Sequence, residues 1–288
     1  MDAPSRSLLT YGLLASVVCI TAGAWLLRSV GDGGGAQANP ALVDLLGPGT
    51  PAPAVNPRAA RPPLPPQQAA WTSPLAERCL RPDLNELRRL RRAWQDRSAR
   101  SSQVTIHPDN YGERLTQDAY GQPIPHRPSL VVLHETVYGL NSALQTFRTP
   151  HPNDADQVSY HALISLDGRI VRLLDPERRA FGAGYSAFNR AWLVTNPKVG
   201  GSINNVALHV SLETPLDGEH DGPAHSGYRP AQYDALALLL AEWMRRYGIP
   251  AERITTHQYV DLGGERSDPR SFDWVQLGQR LAALGLAC

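Results

Sequence analysis

The chain has 288 residues, a formal net charge of +1 and 19% charged residues. That length holds one good-sized domain plus extensions. No acidic or basic excess marks a nucleic-acid partner. The one dense basic run, Arg88-Arg89-Leu90-Arg91-Arg92, falls on a predicted helix, where a solvated face is the simpler reading.

The first element is apolar. Residues 8–27 carry no charge and lie between Arg6 and Arg28. A helix of that length, at ~1.5 Å per residue, crosses a hydrocarbon core of about 30 Å. The run is longer than the roughly 7–15 residues of a signal-peptide core, which favours an uncleaved anchor. A cleaved signal stays open as the alternative, with small-x-small steps at Ala22-Gly23-Ala24 and Ala36-Gln37-Ala38. Cys19 follows Val18, a poor lead into a lipidation site, and reads as a membrane-buried cysteine. Either way the rest of the chain is expected to be exported to the periplasmic or cell-wall side, with the membrane as a partner where residues 8–27 are retained.

Residues 1–30 are thus a signal peptide or membrane anchor. Residues 31–72, rich in Pro, Gly and Ala, form a linker expected to give reach and to bury no core. Leu84, Leu87, Leu90 and Trp94 make an apolar stripe at helical spacing, so residues 73–102 read as a helical extension packed on the main domain. In an oxidising compartment Cys79 and Cys288 can pair and tie this extension to the C-terminus.

From residue 103 to 288 the pattern is mixed α/β. Leu130–Leu133 predicts a buried strand and Tyr138–Thr149 a weak helix. Ser159–Ser165 and Arg169–Leu174 flank the turn Leu166-Asp167-Gly168 and predict a hairpin. Val206–Leu212 is a further strand, Pro230–Tyr247 a strong helix and Asp273–Leu284 a final helix. The expected fold is a mixed central β-sheet flanked by helices, preceded by the N-terminal membrane segment and the Pro-rich linker.

Three residues stand out for their chemistry. His134 closes the predicted strand after Ser129. His257 follows Thr255-Thr256, and Asp268 comes eleven residues later in the Gly-rich run Gly263–Pro269. Two imidazoles and a carboxylate are the donor set of an open zinc site, with a fourth position left for water.

The segments Ser129–His134, Val158–Arg179, Asn204–Glu213 and Thr255–Trp274 resemble, in order and spacing, the zinc-dependent type 2 N-acetylmuramoyl-L-alanine amidases. These are related to the bacteriophage lysozyme-type amidases and the peptidoglycan recognition proteins. The resemblance implies a zinc amidase domain over residues 103–288, with Zn2+ held by His134, His257 and Asp268. It implies peptidoglycan or muropeptides as substrate, cleaved at the amide between N-acetylmuramic acid and L-alanine. A non-catalytic peptidoglycan-binding module of the same fold is the alternative.

The chain also departs from that pattern. The family's lysine two residues before the last ligand is Arg266 here, which keeps the charge but cannot lose its proton. The family's glutamate that acts on the water falls on Ser211. Glu213, two residues on, shares that strand face and is one candidate base. Tyr160, directly before His161, is the other candidate for polar work at the site. Phe181-Gly182-Ala183-Gly184 stands where relatives carry a Trp-His pair. His209 replaces a small residue and is expected either to touch substrate or to be buried. His161 reads as core or ligand support, and His151, His220 and His225 as loop residues. Trp192, Trp243 and Trp274 are core or platform.

Overall fold

The computed structural model describes residues 61–76, 83–220 and 222–287. The apolar segment 8–27, Cys19, Cys79 and Cys288 lie outside the described residues. Among the described residues no helix is long and apolar enough to cross a membrane.

The chain runs α1 (Leu84–Gln95), β1 (Ser101–Gln103), β2 (Tyr111–Glu113), β3 (Leu130–Glu135), α2 (Gly139–Arg148), β4 (Ala162–Ile164), β5 (Ile170–Arg172) and β6 (Arg178–Ala180). It continues through β7 (Leu193–Asn196), β8 (Gly200–Ser202), β9 (Ala207–Leu212), α3 (Pro230–Tyr247), β10 (Ile254–Thr256), α4 (His257–Val260) and α5 (Trp274–Ala283). Six strands form one sheet in the order β1-β5-β4-β9-β3-β10. All its pairings are parallel except the β4/β5 hairpin. β2/β6 and β7/β8 are separate two-stranded ribbons.

Alternation along the strands divides the sheet into two faces. On one face Val131, Leu133, Ile164, Leu208, Val210, Leu212 and Ile254 pack against Leu236, Leu239, Leu240 and Trp243 of α3 and Leu277 and Leu281 of α5. The helix expected over Pro230–Tyr247 forms with those bounds. Pro230 presets its first turn, Gln232 Oε1 accepts from the Arg229 amide, and Gly248 ends it at φ +68, a conformation that favours glycine. On the other face Val132, Leu163, Val171 and Leu130 meet α2 and the loops around Phe188.

The N-terminal extension departs from its sequence reading in three ways. First, Leu84 is 67% exposed, so the α1 stripe is carried by buried Leu90 with Leu87 and Trp94 half-buried. Leu84 opens the helix, and among the described residues none covers it. Second, the basic run is not wholly solvated: Arg89 pairs with Asp234 of α3, which Arg280 of α5 also reaches. Third, β1 is the edge strand of the central sheet, so a boundary between residues 102 and 103 would cut through it. The extension and the main region belong to one compact unit.

The linker reading also needs correction at its end. Residues 61–72, the end of the linker, lie against the domain, as do residues 73–76 that open the extension. Leu75 is buried in the α3/α5 core, and the Trp71 ring sits 4.7 Å from Tyr259 and 5.9 Å from Trp274. An extended Pro-rich chain leaves its carbonyls unpaired within the segment. Here Trp192 Nε1 donates to Pro63 O at 3.0 Å and the Tyr259 hydroxyl to Ala69 O at 2.7 Å.

Candidate metal centre

Parallel pairing sets the site. β9, β3 and β10 lie side by side, with Ser211 in register with His134 and Thr256 with Leu133. The next residue after Thr256 is His257, so Ser211, His134 and His257 follow one another across the C-terminal edge of three strands. His257 opens α4, whose N-cap Thr256 accepts from the Tyr259 amide at 3.3 Å. The Gly-rich loop then returns Asp268. Asp261 holds that loop in shape, accepting from the amides of Gly263 (3.1 Å), Glu265 (2.8 Å) and Arg266 (3.1 Å). The Asp268 carbonyl accepts from the Gln258 amide at 2.9 Å.

One ligand atom from each of His134, His257 and Asp268 lies within 4.8 Å of the others. His257 Nδ1 is 3.0 Å from Asp268 Oδ1, and His134 Nδ1 is 3.3 Å from Asp268 Oδ2. His134 is completely buried, and its Nδ1 makes no hydrogen bond. An imidazole lone pair left bare in the interior beside a carboxylate fits a cation between them. Burial, only partly offset by Asp268, lowers the His134 pKa to about 4, so the ring is neutral at pH 7 and able to ligate. Burial also opposes ionisation of Asp268, but His257 and His134 outweigh it and hold the carboxyl far below its usual range.

Tyr160 stacks on His134, ring centroids 4.3 Å apart, and meets Phe147 edge-on at 5.3 Å. Burial first, then Asp268, pushes its phenol far above the usual range, so it donates and never ionises. Arg266 is exposed, yet its charge bears on both His134 and Tyr160.

The structure does not bring Glu213 to this group. Glu213 lies one residue beyond β9, where its Oε1 accepts from the Leu140 amide at 3.0 Å and its Oε2 from the Leu166 amide at 2.7 Å. It caps the first turn of α2 and braces the β4/β5 turn. Sharing a strand face failed as a guide because the strand ends at Leu212, and beyond it the alternation no longer aims the side chain. Ser211 does face His134's row, and its hydroxyl is buried without a partner.

The remaining histidines sort by burial. His161 is core: its Nδ1 accepts from the His209 amide at 3.0 Å, and its Nε2 lies 3.2 Å from Arg178 O. His209 is completely buried, with Nδ1 3.0 Å from His134 Nε2. Sequence reasoning missed that contact, although alternation places His209 on the same face as Ser211. His225 is on a loop but buried, and with the Tyr228 hydroxyl and Arg270 it surrounds Glu135. His151 (3.0 Å from Asn110 Oδ1) and His220 lie on loops. Trp243 is core, Trp274 is half-buried against the α3/α5 core, and Trp192 is half-buried beside Tyr185.

A mixed α/β domain that gathers two histidines and an aspartate at one strand edge is a metal-site architecture. Residues 124–271 match the family described as N-acetylmuramoyl-L-alanine amidase, and the chain belongs to that family. It is 26% identical over 178 residues to the N-acetylmuramoyl-L-alanine amidase AmiD of Escherichia coli (strain K12), covering 59% of each chain. It is 30% identical over 122 residues to the 1,6-anhydro-N-acetylmuramyl-L-alanine amidase AmpD of Citrobacter freundii, covering 42% of this chain and 55% of that protein. The matches therefore span somewhat over half the length of those two relatives. Among solved structures, a selenomethionine derivative of AmpD aligns at 26% identity with a TM-score of 0.46, over 62% of this chain and 93% of that one.

Proposed function

We propose that this chain is a zinc-dependent amidase that hydrolyses the amide between N-acetylmuramic acid and L-alanine in peptidoglycan or its muropeptide fragments. The observation that carries the reading is the convergence of His134, His257 and Asp268 around a buried, unpartnered imidazole nitrogen. Family membership supports it, as do relatives named for this activity.

His134 and His257 would hold the ion through neutral nitrogens and Asp268 through a carboxylate, a set suited to zinc with one position open. Bound there, zinc supplies a water with a pKa of about 7 and polarises a carbonyl. Tyr160 keeps its proton and is the hydrogen-bond donor beside His134. Arg266 supplies positive potential for the charge that grows on the carbonyl oxygen. Neither residue takes up a proton, and Glu213 is spent on two backbone amides. The hydrolytic water therefore would give its hydroxyl to the carbonyl carbon as the amide C–N bond breaks, leaving a carboxyl on the lactyl group, and its other proton would pass by way of solvent to the departing L-alanine nitrogen.

The test is to digest peptidoglycan and muropeptides and count newly freed L-alanine amino termini. Wild type should release them and His134→Ala should not; equal release by both would sink the mechanism. Ser211 in the position of the family's glutamate favours a second reading, a peptidoglycan-binding module without turnover. Wild type that binds peptidoglycan but frees no amino termini would select it.

Export and tethering by residues 8–27 are part of the same proposal and rest on the length of that apolar run. Fractionation of cells making the full chain should leave it in the membrane pellet after alkaline extraction. Recovery in the cytosol would reject both.

A further inference from the structure

We infer that His209 is a positioning residue for the metal site: its Nδ1 accepts the Nε2–H of His134 and so holds His134 in the one tautomer whose Nδ1 faces the ion. The inference rests on the reading of His134 as a ligand and adds a residue to it.

An imidazole carries one proton when neutral, so the nitrogen that ligates decides where that proton sits. If His134 ligates through Nδ1, Nε2 must bear hydrogen. His134 is fully buried in the middle of the sheet, next to strands on both sides. A buried N–H without an acceptor is costly, and strand carbonyls there are committed to the ladder. His209 Nδ1 lies 3.0 Å away, with ring centroids 5.2 Å apart. Parallel pairing supplies the placement. His209 is in register with Val132, one row behind the Ser211–His134 row and on the same face.

The acceptor role fixes His209 in turn. Nδ1 is bare, so Nε2 carries the proton, and that nitrogen is buried without a partner. His209 gives up one of its own hydrogen bonds to serve as acceptor for His134. Its ring is held from behind by His161, nearly parallel at 9° with centroids 6.0 Å apart. Space comes from Gly182: a Cβ there would fall well inside contact distance of His209 Cγ and Nδ1. The small residue on the loop and the large one on the strand are therefore two halves of one arrangement.

Partners that orient a ligating histidine are worth about 10–100-fold in metal affinity. Zinc affinity is read by chelator competition on the full chain, and geometry by the visible spectrum of the Co2+-substituted protein. His209→Leu should bind zinc at least tenfold more weakly and alter the Co2+ spectrum. His209→Asn, whose Oδ1 takes the place of Nδ1 as acceptor, should recover most of the affinity, which a packing role alone would not. Gly182→Ala keeps both histidines but displaces the ring, and serves as the independent check should His209→Leu fail to fold. It too should weaken zinc binding at least tenfold. Wild-type affinity in a folded His209→Leu or Gly182→Ala variant overturns the inference alone. A wild-type chain that takes up no zinc overturns the metal reading and this inference with it.

Discussion

The two faces of the six-stranded sheet are built from the same strands to opposite ends. The face under α3 and α5 is apolar and closed, with Leu236, Leu240 and Ile254 fully buried. The opposite face carries His209, Ser211, His134 and Thr255, each buried, and four of their polar atoms lack partners. Burying an unpaired polar atom costs of order 1–3 kcal/mol, so this face is held together at the expense of stability that the other supplies. One face is a floor and the other a site, and residues one apart on a strand serve different tasks.

Crossing two substitutions separates those tasks most sharply. His134→Ala should reduce amide hydrolysis to background and abolish the rise in Tm on adding zinc, because a ligand that binds only the folded state raises its stability. Leu236→Ala on the other face should cost about 2–5 kcal/mol through a cavity. At roughly 2–4 °C per kcal/mol for a domain of this size, the Tm loss is easily read, while zinc affinity of the folded fraction should not change. If Leu236→Ala weakened zinc binding as much as His134→Ala, the two faces would not be separable.

Glu213 tests where the site ends. Glu213→Ala should destabilise by about 1.5–3 kcal/mol, the range for hydrogen bonds to a charged group, and leave turnover nearly unchanged in the folded fraction. A general base would instead cost about 10²–10⁴ in turnover with little loss of stability. Thermal melts and amidase assays on the same preparations decide between the two.

These contrasts also mark how far the sequence could be read. Strand and helix positions were legible because the apolar period was strong, as in Pro230–Tyr247. His134, His257 and Asp268 were legible because a strand end and a Gly-rich loop constrain where a side chain can go. Glu213 was misplaced because alternation holds only inside a strand. The His134–His209 contact depends on the register between β3 and β9, which no single segment encodes. Residues 61–72 read as part of a spacer because their composition lacks periodicity, and their anchoring depends on donors more than a hundred residues away, Trp192 and Tyr259.

A smaller effect separates the faces by pH. Burial lowers the pKa of His134 to about 4 and of His161 to about 3, both below the ordinary imidazole value of about 6.5. Above pH 6.5 neither state of the metal-free protein protonates these rings. Below it the unfolded chain takes up protons that the folded chain refuses, so stability falls with acid from pH 6.5 towards 4 and is not recovered. The slope is roughly 1 kcal/mol per pH unit for each histidine. Urea melts of metal-free protein at pH 7 and pH 5 should show this loss. Leu236→Ala should lower the whole curve without changing its slope.

The smallest effect is expected at the rim, where the polar face opens to solvent. Arg266 is exposed, and what reaches His134 and Tyr160 from it is charge. An exposed charge is worth about 0–1 kcal/mol and is screened by salt. Arg266→Lys keeps the charge and should therefore change kcat/KM by less than about fivefold. Arg266→Ala should lose more, with the difference shrinking as ionic strength rises, since the Debye length falls from about 10 Å at 0.1 M to about 3 Å at 1 M. A lysine variant as impaired as the alanine one, at every salt concentration, would mean that the guanidinium donors touch the substrate directly. Arg266 would then belong to the site itself and not to its rim.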